Sequence, residues 1–257
     1  MSKYSKFILT PITTILDEAI SIVSAIEWNM KSFSLAEYVL HSLFLKMTGA
    51  QEQKFKCLIW EIGTENLEFR NKQIYDKKWE YGECSKLDVK NQIITELYMC
   101  VKDNQWNKEQ NIITENDRAE IYNNAKQAVI SLYEKALKYS VFQKEYNDFI
   151  NTWGNTLPID TYLLEEDFKL IPVKKKDNIS KSKSRDLVSF VDAYKNLYDY
   201  RNFCAHNFKI FQTNCYSFDK MRKKENITNN YFFYFALLIV IDSFVMFLYQ
   251  HFIEEFS

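Results

Sequence analysis

One stretch of the chain suggests both its fold and its chemistry, and it reads Tyr198-Asp199-Tyr200-Arg201-Asn202-Phe203-Cys204-Ala205-His206-Asn207-Phe208. Arg201 carries a planar, permanently charged guanidinium that suits phosphate oxygens. His206 is one of only three histidines in the chain, and an imidazole both gives and takes a proton near pH 7. Together the two side chains supply a phosphate ligand and a proton-transfer group, which is enough to cleave a phosphodiester without a metal ion.

The spacing of these two residues leaves two interpretations open. Residues five apart on an ideal helix point about 140° away from each other, so Arg201 and His206 share a site only if the long arginine side chain, or a helix end near Asn207, brings them together. The alternative is a buried helix whose arginine and histidine are simply satisfied by hydrogen bonds. Cys204, between them, is more typical of a small buried thiol than of a nucleophile.

The motif resembles that of the HEPN (higher eukaryotes and prokaryotes nucleotide-binding) domain ribonucleases. Their pattern is R-x(4–6)-H on a helix of a small all-α bundle, usually with Asn, Asp or His directly after the Arg. Here it reads Arg201-Asn202, three further residues and His206. The resemblance covers roughly the last seventy residues well, and the N-terminal half only through its helical character.

The resemblance implies a function as well as a fold. It implies a metal-independent endoribonuclease, without a cofactor, that cleaves single-stranded or loop RNA by attack of the 2′-OH. His206 would act as general base or acid, Arg201 would hold the scissile phosphate, and Asn202 would orient the phosphate or the histidine. The family further implies a homodimer with a toxin or anti-phage role and an antitoxin or defence-system partner protein. The alternative is a non-catalytic HEPN-like module that binds RNA or a partner.

Composition independently predicts an all-α fold. Among 257 residues, 47% are hydrophobic, but only four are glycine and three are proline, whereas all-β folds spend many more on turns. We expect residues 1–153 to form the N-terminal helical part of the bundle, 154–186 a polar basic loop, and 187–257 the C-terminal helices with the motif. We expect these three parts to form one compact domain.

Apolar periodicity places the main helices. Thr10 is expected to cap the first long helix, with Pro11 in its first turn. A second helix is expected from Ser34, ending or bending near Gly49. A long helix is predicted at about 117–150, opened by Thr114 or Asn116.

The last helix, from Tyr231 to about Phe256, is apolar and long enough to suggest a membrane span. Asp242 near its centre would cost about 2.5–3.5 kcal/mol in a bilayer, so a core helix or a dimer interface is the preferred interpretation. A membrane-anchored protein is the rival that this choice sets aside.

Charge and cysteine content narrow the expected partners. The net charge is −1, so RNA binding would depend on local basic patches. Two basic stretches flank the motif, and we expect RNA contacts from Lys174, Lys175, Lys176, Lys209, Arg222 and Lys223; the alternative is a solvated linker. The five cysteines form no C-x-x-C pair, and no metal-binding spacing is present, so we expect a cytoplasmic protein with reduced thiols.

Overall fold

A computed structural model of the chain describes residues 3–25, 33–75, 84–104, 112–140, 142–156, 190–207 and 230–256. For a few residues at helix ends it describes the backbone alone. Within this part of the chain every regular element is a helix and none is a strand. The predicted all-α class is therefore confirmed.

Nine α-helices follow one another in the described residues. They are α1 (Ser5–Ile8), α2 (Thr13–Val23), α3 (Phe33–Glu65), α4 (Leu67–Tyr75), α5 (Leu87–Asn104), α6 (Glu115–Leu132), α7 (Gln143–Thr156), α8 (Phe190–Asn207) and α9 (Tyr231–Phe256). A π-helical turn, Tyr133–Leu137, extends α6. One hydrophobic cluster runs through these elements, from Ile8 in α1 to Phe252 in α9.

Helix α9 lies at the centre of the bundle. It packs against α3, α5, α6, α7 and α8, and its residues from Tyr231 to Asp242 are all buried. By length and composition this helix could cross a membrane, but 83% of its most apolar window is buried inside the protein. A helix that is apolar on all sides can be removed from water by a protein core as well as by a membrane. The burial of α9 inside the protein favours the core-helix interpretation.

Helix α3 continues through Gly49, where the sequence predicts an end or a bend. It runs unbroken over 33 residues, and the space next to the Gly49 Cα is open. A glycine inside a helix costs about 1 kcal/mol relative to alanine, whereas burying one side chain such as Phe44 or Met47 gains about 1.5–3 kcal/mol. Packing on both sides of Gly49 therefore outweighs its weak helix propensity.

The predicted cap at Thr10 is wrong, because the Thr10 hydroxyl serves the preceding helix. Its Oγ1 donates to the Lys6 carbonyl at 2.7 Å, and α2 begins only at Thr13, after Ile12, without a side-chain cap. The backbone N–H of Ile12 instead donates to the Asp242 carboxylate at 2.9 Å. Asp242, 230 positions away, therefore accepts the backbone hydrogen bond that Thr10 was expected to accept.

The helix predicted at 117–150 is two helices. Thr114 caps α6 in a reciprocal capping box with Asp117. Of the two predicted starts, Thr114 and Asn116, the first is therefore correct. The helix then widens at Tyr133–Leu137, and α7 begins at Gln143. Between them the Ser140 hydroxyl donates to the Leu137 carbonyl, so a serine satisfies a helix end that the apolar periodicity does not reveal.

A buried ion pair joins α3 to α9. Lys54 Nζ lies 2.6 Å from Asp242 Oδ1, and the two side chains are 2% and 3% exposed. With the bond from Ile12 N–H, this carboxylate connects α2, α3 and α9. Attraction between buried charges offsets the cost of removing both from water only while both partners are present.

We expect Lys54→Met to lower the free energy of unfolding by about 3–5 kcal/mol near neutral pH, because it leaves a buried carboxylate without its partner. Burial raises the pKa of Asp242, and Lys54 opposes that rise. Without Lys54 the folded chain would keep the Asp242 proton to a higher pH than the unfolded chain does. The loss should therefore be smallest below about pH 4 and grow toward neutral pH.

Urea unfolding followed by circular dichroism at several pH values measures this loss. Lys46→Met is the matched control, because Lys46 lies on the same helix but is 59% exposed in its pair with Glu18. An exposed pair contributes less than about 1 kcal/mol. Equal destabilisation by the two substitutions would contradict the role given to Lys54.

Candidate functional site

Arg201 lies in α8 with its guanidinium fixed by two neighbours. Nη2 donates to Glu52 Oε2 at 2.9 Å, and Nη1 donates to Asn202 Oδ1 at 3.1 Å. The side chain is 26% exposed. These two contacts occupy two of the five N–H donors of a guanidinium, so Arg201 is held in a defined position and retains donors for an incoming anion.

Glu52, on α3, is the residue that positions Arg201. Its second carboxylate oxygen pairs with Lys56 Nζ at 3.0 Å, one helical turn along the same helix. From sequence alone, Glu52 and Lys56 are either active-site helpers or residues of a solvated face or a helix-to-helix ion pair, and the structure places both in ion pairs. Because the Glu52 side chain is only 12% exposed, its bond to Arg201 is partly protected from water and holds α3 and α8 together at the motif.

The remaining predicted site residues are described less fully or not at all. Helix α8 continues through His206 to Asn207, but the His206 side chain is not among the described ones. The predicted RNA contacts Lys174, Lys175, Lys176, Lys209, Arg222 and Lys223 all lie outside the described residues. The structure thus brings Arg201 and Asn202 together, while the placement of the imidazole stays a prediction.

A second cation, Lys90 on α5, borders the same cleft as Arg201. Its Nζ donates to Gln51 Oε1 and lies 5.1 Å and 5.4 Å from the ring centres of Phe55 and Tyr194. The amide of Gln51 is oriented by a bond from its Nε2 to the Leu238 carbonyl at 2.9 Å. Lys90 is therefore a buried amine whose hydrogen-bond partner, among the described residues, is neutral.

Burial lowers the pKa of Lys90 to about 7. Glu52 opposes this fall most, Cys84 and Asp242 oppose it less, and the positive charge of Arg201 adds to it. Glu52 and Asp242 are engaged by other cations. The amine consequently changes its charge near neutral pH, which is unusual for lysine.

The cleft between these two cations is narrow and mixed in character. Its walls come from α3, from the segment before α5, from α5 itself and from α8, and it is lined by Thr48, Ser85, Lys90, Tyr194, Leu197, Tyr198 and Arg201. One wall is fixed because Tyr194 OH donates to the Ser85 carbonyl at 3.0 Å. Hydroxyl groups, an amine and a guanidinium line it together, a composition that suits an oxyanion.

Cys204 and His41 lie within hydrogen-bonding distance of each other. Cys204 is buried, and its Sγ lies 3.7 Å from His41 Nδ1. Burial lowers the pKa of His41, so the imidazole is neutral and gives the thiol no positive charge that would stabilise a thiolate. Beside them Tyr200 OH and Tyr231 OH are 2.6 Å apart, which ties α8 to α9.

Within the described ranges no three His, Cys, Asp or Glu side chains converge as a metal site. In comparisons with protein-family models, curated proteins and solved structures, nothing matched this chain.

Sequence reasoning missed Gln51, Lys54 and Lys90 as site or core residues, although a signal exists for the two lysines. Lys90 shares a helix face with Ile93 and Leu97, and Lys54 shares one with Leu58 and Ile62, at spacings of three, four, seven or eight. A lysine inside an apolar stripe points to a buried polar contact, because an unpaired charge there would be costly.

We expect the stability of the protein to rise by about 2 kcal/mol more between pH 7 and pH 9 than that of a Lys90→Met variant. In this range the unfolded chain keeps the Lys90 proton and the folded chain has lost it, because the folded pKa is about 7. Stability therefore increases with pH until the unfolded lysine also deprotonates.

Urea unfolding of the two proteins at matched pH values gives this difference, and carbon NMR of lysine-labelled protein gives the pKa directly. The Lys46→Met control should keep the wild-type pH slope, since Lys46 is exposed. A Lys90 signal that titrates near the ordinary lysine pKa of about 10.4 would contradict the burial of an amine at this site.

Proposed function

We propose that this protein is a metal-independent endoribonuclease of the HEPN type, with Arg201, Asn202 and His206 as its catalytic residues. The observation that carries the proposal is the guanidinium of Arg201, which Glu52 and Asn202 hold at the edge of a cleft lined by polar groups. A cation fixed before substrate arrives stabilises developing negative charge without reorganisation.

The reaction proposed is an internal transesterification of RNA. The ribose 2′-oxygen bonds to phosphorus and the bond from phosphorus to the 5′-oxygen breaks, while one proton leaves the 2′-OH and one reaches the departing oxygen. His206 takes or gives one of these protons, and Arg201 balances charge on the phosphate oxygens. The products are a 2′,3′-cyclic phosphate and a 5′-OH end, and DNA is not a substrate because it lacks the 2′-OH.

We further propose that the enzyme is a cytoplasmic homodimer in which each chain supplies one proton-transfer group. Its role would be in toxicity or phage defence. The sequence suggests the apolar surface of α9 as the dimer contact. This surface is buried within one chain, where α9 packs against five other helices. The dimer surface would therefore be elsewhere. Light scattering at micromolar concentration tests the assembly, and an active monomer would contradict it.

The alternative function is a helical bundle that binds RNA or a partner protein without cutting. It would be identified by wild-type protein that retains RNA on a filter and leaves every phosphodiester intact. A membrane-anchored protein, the third candidate, would be recovered from cells only in detergent.

The central expectation concerns His206→Ala and Arg201→Ala. Each substitution should reduce RNA cleavage by about 100- to 10,000-fold, since each removes a positioned group that acts in the transition state. Wild-type activity should persist in EDTA. Single-turnover cleavage of a short labelled RNA, with mass spectrometry of the product ends, measures the rates and the chemistry.

Two matched variants control for nonspecific effects. His251→Ala removes another of the three histidines, one that contacts Glu254 on the surface, and Arg70→Ala removes an exposed arginine. Both should keep wild-type rates, and all variants should keep wild-type circular dichroism. Undiminished cleavage by His206→Ala, or activity that disappears with EDTA, would exclude the proposed mechanism.

A further inference from the structure

The cluster around the cleft contains more positive than negative groups. Four cationic side chains meet two carboxylates there: Lys54 is paired with Asp242, and Lys56 and Arg201 share Glu52. Lys90, the fourth cation, has its described hydrogen bond to the neutral Gln51. Once Lys90 is protonated, the cluster therefore carries a surplus of two positive charges.

The surplus faces the cleft rather than the surrounding core. Lys90 and Arg201 both line it, whereas Lys54 is buried against Asp242. Two tyrosines and the hydroxyl-bearing Thr48 and Ser85 complete the walls. Two cations on the walls of a small cleft suit an anion with two charges and several acceptor oxygens.

We propose that the cleft between Lys90 and Arg201 is a binding site for a doubly charged tetrahedral anion, namely inorganic phosphate or the terminal phosphate of a nucleotide or RNA end. A terminal phosphate carries about −1.5 to −2 charges at neutral pH, which matches the surplus, whereas a phosphodiester carries one. The site shares Arg201 and this cleft with the proposed function but requires no RNA cleavage, so anion binding and cleavage are measured separately and either can fail without the other.

Binding is coupled to a proton. The groups that face Lys90 are Glu52, Cys84, Asp242 and Tyr194, and Arg201 acts on it as a like charge. Because the pKa of Lys90 is about 7, an added negative charge beside it favours the ammonium form. The protein consequently takes up part of a proton when the anion enters, and it binds more tightly as the pH falls from above 7.

Sulfate is the first probe, because it has the shape and charge of the phosphate dianion and does not itself titrate near neutral pH. Calorimetry of the wild-type protein at about pH 7, in two buffers of different ionisation enthalpy, should give a Kd of about 1 mM or lower and an uptake of about 0.5 proton per sulfate. Perchlorate, a tetrahedral anion with one charge, should bind at least about 10-fold more weakly.

Variants assign the effect to Lys90. Lys90→Met should weaken sulfate binding by about 10- to 100-fold and abolish proton uptake, while Lys46→Met should change neither. Inorganic phosphate, a nucleoside 5′-monophosphate and dimethyl phosphate identify the natural source. Equal affinity for the first two indicates free anion, and tighter nucleotide binding indicates a terminal phosphate.

Several results would overturn the site. They are no sulfate binding by the wild-type protein, perchlorate or dimethyl phosphate binding as tightly as the dianions, or unchanged binding in Lys90→Met. The first two need no variant, so the test does not depend on how a substitution at a buried lysine folds. None of them bears on whether His206→Ala abolishes RNA cleavage.

Discussion

The bundle depends on one constraint, which is that charged side chains inside a mostly apolar core must find partners. The Lys54–Asp242 pair satisfies it at the centre. Because the same carboxylate receives the N–H of Ile12, the pair sets how α2, α3 and α9 meet. An apolar helix such as α9 has no face that distinguishes one rotation about its axis from another. Its single buried carboxylate supplies that distinction, since only one rotation brings Asp242 to Lys54.

A single turn of α3 organises the rest. Successive residues of a helix point about 100° apart, so Gln51, Glu52 and Lys54 reach different neighbours: Gln51 contacts Lys90 and the α9 backbone, Glu52 contacts Arg201, and Lys54 contacts Asp242. The cleft and the core therefore share one polar network. Gln51 links the Lys90 amine at the cleft to the backbone of α9, and the same helix that positions the motif also supports the central ion pair.

Much of the helical content could be predicted from the sequence, and the polar network could not. Few glycines and prolines, with apolar residues at helical spacing, are local signals, and they place α9 and the start of α6 well. The N–H of Ile12, just before α2, is satisfied by the distant Asp242, and the continuity of α3 through Gly49 comes from packing, so neither is encoded locally. The break before α7 has a local bond from Ser140 to Leu137, but apolar periodicity does not reveal it. Arg201 was found because two unusual residues stand close together in the chain. Lys90 was missed because it lies more than a hundred positions from Arg201, and only the fold brings them to one cleft.

The central position of α9 has a consequence for how the molecule is made. Ribosomes add residues from the N-terminus, and domains tend to form in that order during synthesis. Here residues 231–256 emerge from the ribosome after every helix they pack against. Until then, the surfaces of α3, α5 and α6 that will contact α9 remain exposed to water. The nascent chain remains an incomplete shell until its last helix arrives, a state in which exposed apolar surface invites chaperones and aggregation. Lys54 also remains without its ionic partner for most of synthesis, because Asp242 is added 188 residues later.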